Sequence, residues 1–326
     1  RNAQLEQWNG RRLGPAGVKE KLGISHTFNG EDFKDFALDL SRFSKILLFP
    51  FAEDVADNRR DGADLYDLVA QFKSKAGVTS ATAPPPNVDH RLYRQLTGQL
   101  REIKTDEELD LIRKAVEISC QGQNEVMKAV HGNMSELEIQ GLHEYVHKKY
   151  GAESLGYGSI IGSGENGCIL HYTENNKTKI GTEMLLMDVG AEYHGYTADV
   201  TRTIPADGQF SAEEKAIYNL VYEAQEAGFK ILKDGAKMSD ASQAARNVIA
   251  EGLLKLGLIK KVDEVGKYYP HGLMHHIGLD VHDRGFSQTF KKGMVMTVEP
   301  GIYIPENSPV DKKWWGIAVR IEDDVL

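Results

Sequence analysis

Residues 187–203 read MDVGAEYHGYTADVTRT. Asp188 ends an apolar run, LLMD, that has the character of a buried strand. An unpaired carboxylate buried there costs several kcal/mol. Asp199 follows eleven residues later, beyond a turn that contains Gly195. In a symmetric hairpin the two carboxylates stand opposite each other, about 5 Å apart at Cβ. Like charges that close repel unless a cation lies between them.

The same problem recurs downstream. Glu299 follows Met296-Thr297-Val298, and Glu322 follows Arg320-Ile321. Neutralising four such carboxylates by ion pairs needs about as many bases, yet only Arg202 and Arg320 lie near in sequence. A metal site is the economical reading. Nitrogen ligands are available: four of the eleven histidines (His271, His275, His276 and His282) fall within twelve residues.

Around these strands the chain repeats itself. Thr105-x-x-Glu108, Ser135-x-x-Glu138 and Ser211-x-x-Glu214 are capping boxes before helical apolar spacing, and Met238-Ser239 opens a fourth helix as Met134-Ser135 opens the second. Thr105 and Ser211, Met134 and Met238, and the expected helix ends at Gly151 and Gly257 lie 106, 104 and 106 residues apart. Each helix pair leads into a strand with a carboxylate and then a second one, which predicts two related halves facing each other.

A net charge of −9 argues against holding nucleic acid by general attraction, and no apolar run approaches the length of a membrane helix. Only Cys120 and Cys168 are present, which excludes a disulfide framework and points to a reducing, cytoplasmic compartment. Residues 1–103 read as a less legible α/β region, with a strand expected at Ile46–Phe49, a helix at Ala63–Ala76 and a stiff break at Pro84–Pro86. A domain boundary is expected near residue 104. The chain opens at Arg1 without Met, so a fragment of a longer protein is expected.

The ordered set Asp188, Asp199, His275, Glu299, Glu322, in MDVGAEYHGYTADVTRT, HGLMHHIGLDVHD, TVEPGIYIP and VRIEDDV, resembles the dinuclear metallopeptidases of the pita-bread fold: aminopeptidase P, prolidase and methionine aminopeptidase. The resemblance covers residues 104–326 and extends weakly to 1–103, which look like part of the amino-terminal domain of aminopeptidase P and prolidase. It implies an α+β, pseudo-twofold catalytic domain after a partial α/β domain. It further implies that Asp188 holds one metal, that Asp199 and Glu322 bridge two, and that His275 and Glu299 complete the second. Glu299 also matches the position that passes a proton to the leaving nitrogen. His171 and His282 match positions that steady substrate and intermediate, while His271, Tyr303 and Arg320 match positions that orient substrate or support the ligands. A ligand set of oxygens and one imidazole suits Mn²⁺ foremost, with Co²⁺, Fe²⁺ or Zn²⁺ as alternatives. Proline-containing peptides are the expected substrates, cleaved after the first residue, and a homodimer is the expected state. The stretch Trp8–Gly14, WNGRRLG, favours aminopeptidase P over a dipeptidase.

Competing motifs are weaker. His143-Glu144-Tyr145-Val146-His147 matches a zinc-protease pattern, but the apolar face of its helix runs through Leu142 and Val146, which leaves both histidines on the flank. Gly162–Gly167 matches G-x-G-x-x-G, yet Cys168–Tyr172 after it reads as a strand, not a phosphate-binding helix. A nucleophilic Cys168 leaves four carboxylates unexplained. A metal-free creatinase-like enzyme or a non-catalytic binding module on the same fold is disfavoured by the intact ligand set.

Overall fold

Reciprocal capping boxes open three of the longer helices in this computed structural model, which describes residues 3–48, 65–78 and 85–326. The chain forms two compact units, Arg1–Leu96 and Thr97–Leu326. The first carries α1 (Ala3–Asn9), α2 (Gly14–Leu22) and α3 (Leu65–Lys75); α4 (His90–Glu102) spans the division. Leu40, Ile46, Leu48 and Ala76 form a small core. The strand expected at Ile46–Phe49 is not formed among the described residues. Ile46 makes one isolated parallel bridge, to Val88, because its neighbours find no ladder partner. Phe49 and Pro84 lie outside the described residues.

In the second unit, α5 (Asp106–Ala129), α6 (Glu136–Lys149) and α7 (Ala212–Phe229) each begin at a reciprocal capping box, on Thr105/Glu108, Ser135/Glu138 and Ser211/Glu214. α8 (Met238–Lys255) opens at Met238 as expected, but without a capping box: Ser239 lies inside its first turn, and Lys237 makes no side-chain cap. A bridge between Lys237 and Thr289, with Met238 N–H donating to Gln288, fixes the entry in place of a cap. α5 packs on α6, and α7 on α8.

The strands are β1 (Ser154–Leu155), β2 (Ile160–Ser163), β3 (Met184–Val189), β4 (Ala191–Tyr193), β5 (Tyr196–Thr197), β6 (Val200–Pro205), β7 (Met296–Val298), β8 (Gly301–Ile304), β9 (Ile317–Arg320) and β10 (Asp323–Val325). β3 is central between β2 and β6, all antiparallel. Its register corrects the expected hairpin: Asp188 pairs with Thr201, not with Asp199. The cause is the turn. Tyr193 pairs with Tyr196 across His194 (φ 50°) and Gly195 (φ 86°), a two-residue loop with both residues left-handed. That centre moves Asp199 two residues along, so it shares a face with Asp188 as a diagonal neighbour.

A second correction concerns strand membership. Asp188 lies in β3, but Asp199, Glu299 and Glu322 abut strands rather than sit within them. Their amides bond elsewhere: Asp199 to the Asp324 carboxylate, Glu299 to the Leu273 carbonyl and Glu322 to the Thr201 carbonyl. The last bond joins the halves, as do Thr203 Oγ1 to the Arg320 carbonyl (2.9 Å) and Arg320 N–H to Thr203 Oγ1 (3.2 Å). β6 and β9 thereby bring both pairs of carboxylates to one seam.

Each half also uses one buried glutamine in the same way. Gln123 of α5 donates to the carbonyls of Met187 and Val200, and Gln225 of α7 to those of Val298 and Ile321. Each amide group ties together the two backbone segments that carry its half's carboxylates.

Candidate metal centre

A cavity of about 370 Å³ opens over this seam, lined by Asp188, Asp199, His275, Glu299 and Glu322 together with His171, His271, His282, Arg320 and Tyr157. Ligand atoms of Asp199, His275 and Glu322 lie within 4.8 Å of one another. The histidine-rich segment contains no helix. It runs beside β7, with Ile277 N–H donating to Val295, Thr297 N–H to His275 and Glu299 N–H to Leu273. That pairing sets His275 beside Glu299. His275 Nδ1 donates to the His276 carbonyl (3.0 Å), which leaves Nε2 facing Asp199 Oδ2 at 3.4 Å and Glu299 Oε1 at 3.7 Å. A backbone acceptor on one ring nitrogen and carboxylates at the other is the tautomer a metal-ligating imidazole needs.

The charge balance is short of cations. Arg320 meets Asp188 at 2.5 Å and Glu322 only at 3.9 Å, and it is buried with them. Tyr157 places one hydroxyl against both Asp188 and Asp199, and a single phenolic proton cannot serve two carboxylates. Burial, then the Asp188 charge, pushes Asp199 up to about 6. Burial raises Glu299 to about 8 against the pull of His275 and Arg320. Glu322 is raised well above the usual range by burial and by Asp199, Glu299 and Asp188. For His275, burial works downward, but Asp199 and then Glu299 outweigh it and lift the imidazole to about 9. Three crowded carboxylates, Asp199, Glu299 and Glu322, that drive protons onto themselves and onto a neighbouring imidazole fit divalent cations as their missing partners.

The sequence profile of metallopeptidase family M24 matches residues 110–326. The chain belongs to that family. Over its whole length it is 33% identical to the Xaa-Pro aminopeptidase of Escherichia coli and 35% identical to that of Haemophilus influenzae, covering 75% and 74% of those proteins. The solved aminopeptidase PepP of Pseudomonas aeruginosa superimposes with a TM-score of 0.82 at 36% identity, over 100% of this chain and 75% of that one. As an M24 member the chain is a metal-dependent hydrolase with the pita-bread fold.

A hydrogen-bond chain runs beside the carboxylate cluster. Arg320 donates to the Tyr303 hydroxyl (2.9 Å), which donates to His271 Nε2 (2.8 Å), while His271 Nδ1 donates to the Gly272 carbonyl (2.8 Å). Burial, foremost, lowers His271 to about 4, so the ring is neutral with both nitrogens engaged by the protein. His171 and His282 instead stand at the exposed rim, ring centroids 6.3 Å apart, and His282 lies edge-on to His275 at 4.5 Å. Tyr157, Thr201 (whose hydroxyl bonds Glu322 at 2.5 Å) and the two glutamines carry no sequence motif and were not expected.

The competing motifs resolve differently. His143 and His147 are fully buried, not on a flank, with rings 6.1 Å apart against Gly122 of α5. A Cβ at Gly122 meets His147 Nε2 at 2.8 Å, so the missing side chain is what admits the rings. None of their four nitrogens has a partner, and no third ligand joins them among the described residues. Cys168–Tyr172, expected as a strand, is the end of a 3₁₀ turn (Gly164–Cys168) and a bend, because hydrogen bonds to Glu136 gather this segment instead of a sheet. Burial pushes the Cys168 thiol up to about 12, which removes the thiolate a nucleophile needs.

Proposed function

We propose that the chain is an Xaa-Pro aminopeptidase that hydrolyses the bond between an amino-terminal residue and a following proline. The buried cluster of Asp199, His275 and Glu322 beneath an open, histidine-rimmed cavity carries this reading, and full-length likeness to Xaa-Pro aminopeptidases supports it. Asp188, Asp199, His275, Glu299 and Glu322 would hold two divalent ions. Such ions supply Lewis-acid polarisation and a water of lowered pKa.

The chain's own groups do the rest. Glu299 accepts the proton of the attacking water and returns it to the leaving nitrogen. The His282 and His171 imidazoles donate to the carbonyl oxygen as charge develops on it. Arg320, held by Asp188 and Tyr303, fixes the wall against which substrate is oriented, and the neutral His271 keeps Tyr303 in place. Mn²⁺ is the proposed metal on donor softness. A cytoplasmic location rests on two free cysteines; a homodimer and descent of residues 1–103 from an amino-terminal domain rest on the family resemblance.

The test is a peptide panel with metal content measured on the same sample. Release of the first residue from Xaa-Pro-Xaa tripeptides is expected, with kcat/KM at least equal to that for Xaa-Pro dipeptides. Cleavage confined to dipeptides moves the assignment to a prolidase; cleavage without regard to proline removes the substrate reading altogether.

A further inference from the structure

We propose that Glu136 is the positioning residue for His171. The inference rests on the reading of His171 as a substrate-contacting group. Glu136 is the first residue of α6 and is 0% exposed. It forms no ion pair among the described residues, so its charge is met by donors alone. Oε1 accepts from Ser163 N–H (2.8 Å), Ser163 Oγ (2.9 Å) and Asn166 Nδ2 (3.1 Å). Oε2 accepts from the Tyr172 hydroxyl (2.9 Å) and from Lys177 N–H (3.0 Å). Together with the positive end of α6, these replace the hydration a buried carboxylate loses.

The donors share one property: all come from the segment 163–177, which leaves β2 and contains His171. Ser163 and Lys177 stand at its two ends, and Tyr172 is the neighbour of His171. The Tyr172 ring is buried beside Ile160, Leu186, Tyr303 and Ala318. With Tyr172 drawn inward and its hydroxyl held by Glu136, the adjacent His171 is left exposed at the cavity wall, near His282. A separate anchor, Asn175 (φ 47°), bonds Ile161 N–H and the Ser159 carbonyl and secures the later part of the segment. In the part from Ser163 to Tyr172, Glu136 holds Ser163, Asn166 and Tyr172, while the sheet pairing of Ser163 with Leu185, the Glu306 N–H on Glu165 and Arg320 at the Leu170 carbonyl (3.5 Å) add to it. An ordinary helix-start glutamate faces water and caps its own turn; this one faces inward and serves the cleft.

Glu136→Gln keeps the size but points an amide donor at donors, and Tyr172→Phe removes one bond and keeps the ring. In the metal-loaded chain, Glu136→Gln is expected to lower kcat/KM for an Xaa-Pro-Xaa peptide on the order of 100-fold, the scale of misplacing one reacting group. Metal per chain stays unchanged, and Tyr172→Phe gives a smaller loss in the same direction. In a His171→Ala background, each should add less than about twofold, because residues acting through one another are not additive. Near-normal turnover in Glu136→Gln, or losses that multiply fully with His171→Ala, overturns the proposal. If Glu136→Gln does not fold, the cycle with Tyr172→Phe decides alone by the same criterion. A His171→Ala enzyme with near-normal activity overturns the substrate role of His171 and this proposal together; a crippled His171→Ala enzyme with additive partners overturns only this one.

Discussion

Two regions of the catalytic unit carry paired histidines, and they behave in opposite ways. On α6, His143 and His147 sit one turn apart in the sequence pattern of a zinc protease, yet both rings are sealed against Gly122 without a partner. In the segment 271–282 the spacing follows no regular element, yet His275 faces two carboxylates and His282 stands beside it at the cavity rim. Helical i, i+4 spacing guarantees only that two rings share a face. Whether that face meets carboxylates or a glycine is decided by the element packed against it. Burial lowers His143 to about 3 and His147 to about 4, while neighbouring carboxylates overcome burial and lift His275 to about 9.

The contrast is broken most severely from the carboxylate side. Asp199→Ala is expected to lose both metal ions and nearly all hydrolysis, checked by metal analysis per chain; two retained ions would remove Asp199 as the shared ligand. Next in size, His282→Ala should keep full metal occupancy while kcat falls by roughly 10²–10³, the effect of losing one donor to developing negative charge. Metal loss in that variant would make His282 a ligand instead. On α6, His143→Leu with His147→Leu should leave metal content and kcat within about twofold of the parent, the range of a distant, uncoupled change. A fall in metal content there would restore the zinc-protease pattern as functional.

The smallest expected effect is on stability against pH. In the unfolded chain both α6 histidines titrate near 6.5, and in the folded chain burial lowers them to about 3 and about 4. The unfolded state therefore binds more protons in this window. Stability from these residues is complete above about pH 6.5 and is lost as pH falls towards 4 and 3. Urea midpoints of the parent should drop more steeply between pH 7 and pH 4.5 than those of the double-Leu variant. Parallel profiles would show that the two rings are not the buried, neutral pair described.

Much of the fold was legible because its signals are local. The capping boxes at Thr105, Ser135 and Ser211 are contacts over three residues, and each marks an observed helix start. Met238-Ser239 also marks an observed helix start, but there bridging of Lys237 to Thr289, fifty-two residues away, fixes the entry and no side-chain cap is made. The register of Asp188 differs by two residues from the hairpin expected to be symmetric about Asp188 and Asp199, because the two-residue turn His194–Gly195, both left-handed, sets its centre. The strand expected after Gly167 failed for a longer-range reason: the side chains of Asn166 and Tyr172 bond to Glu136, on another element, and gather the segment into a turn and a bend.

From the sequence alone came the order of four carboxylates and a histidine, their apolar setting, the two-fold repetition of the helix pairs and the shortage of nearby bases. Composition and short-range periodicity suffice for these, since burying a charge among apolar neighbours already demands a counter-charge. Tertiary structure decided the partners: Arg320 on Asp188 across 132 residues, Tyr157 between Asp188 and Asp199, Thr201 on Glu322, and Glu136 beneath the His171 segment. None of these follows from spacing, because a hydrogen bond between distant segments exists only where the packing of the two halves has brought donor and acceptor to about 3 Å.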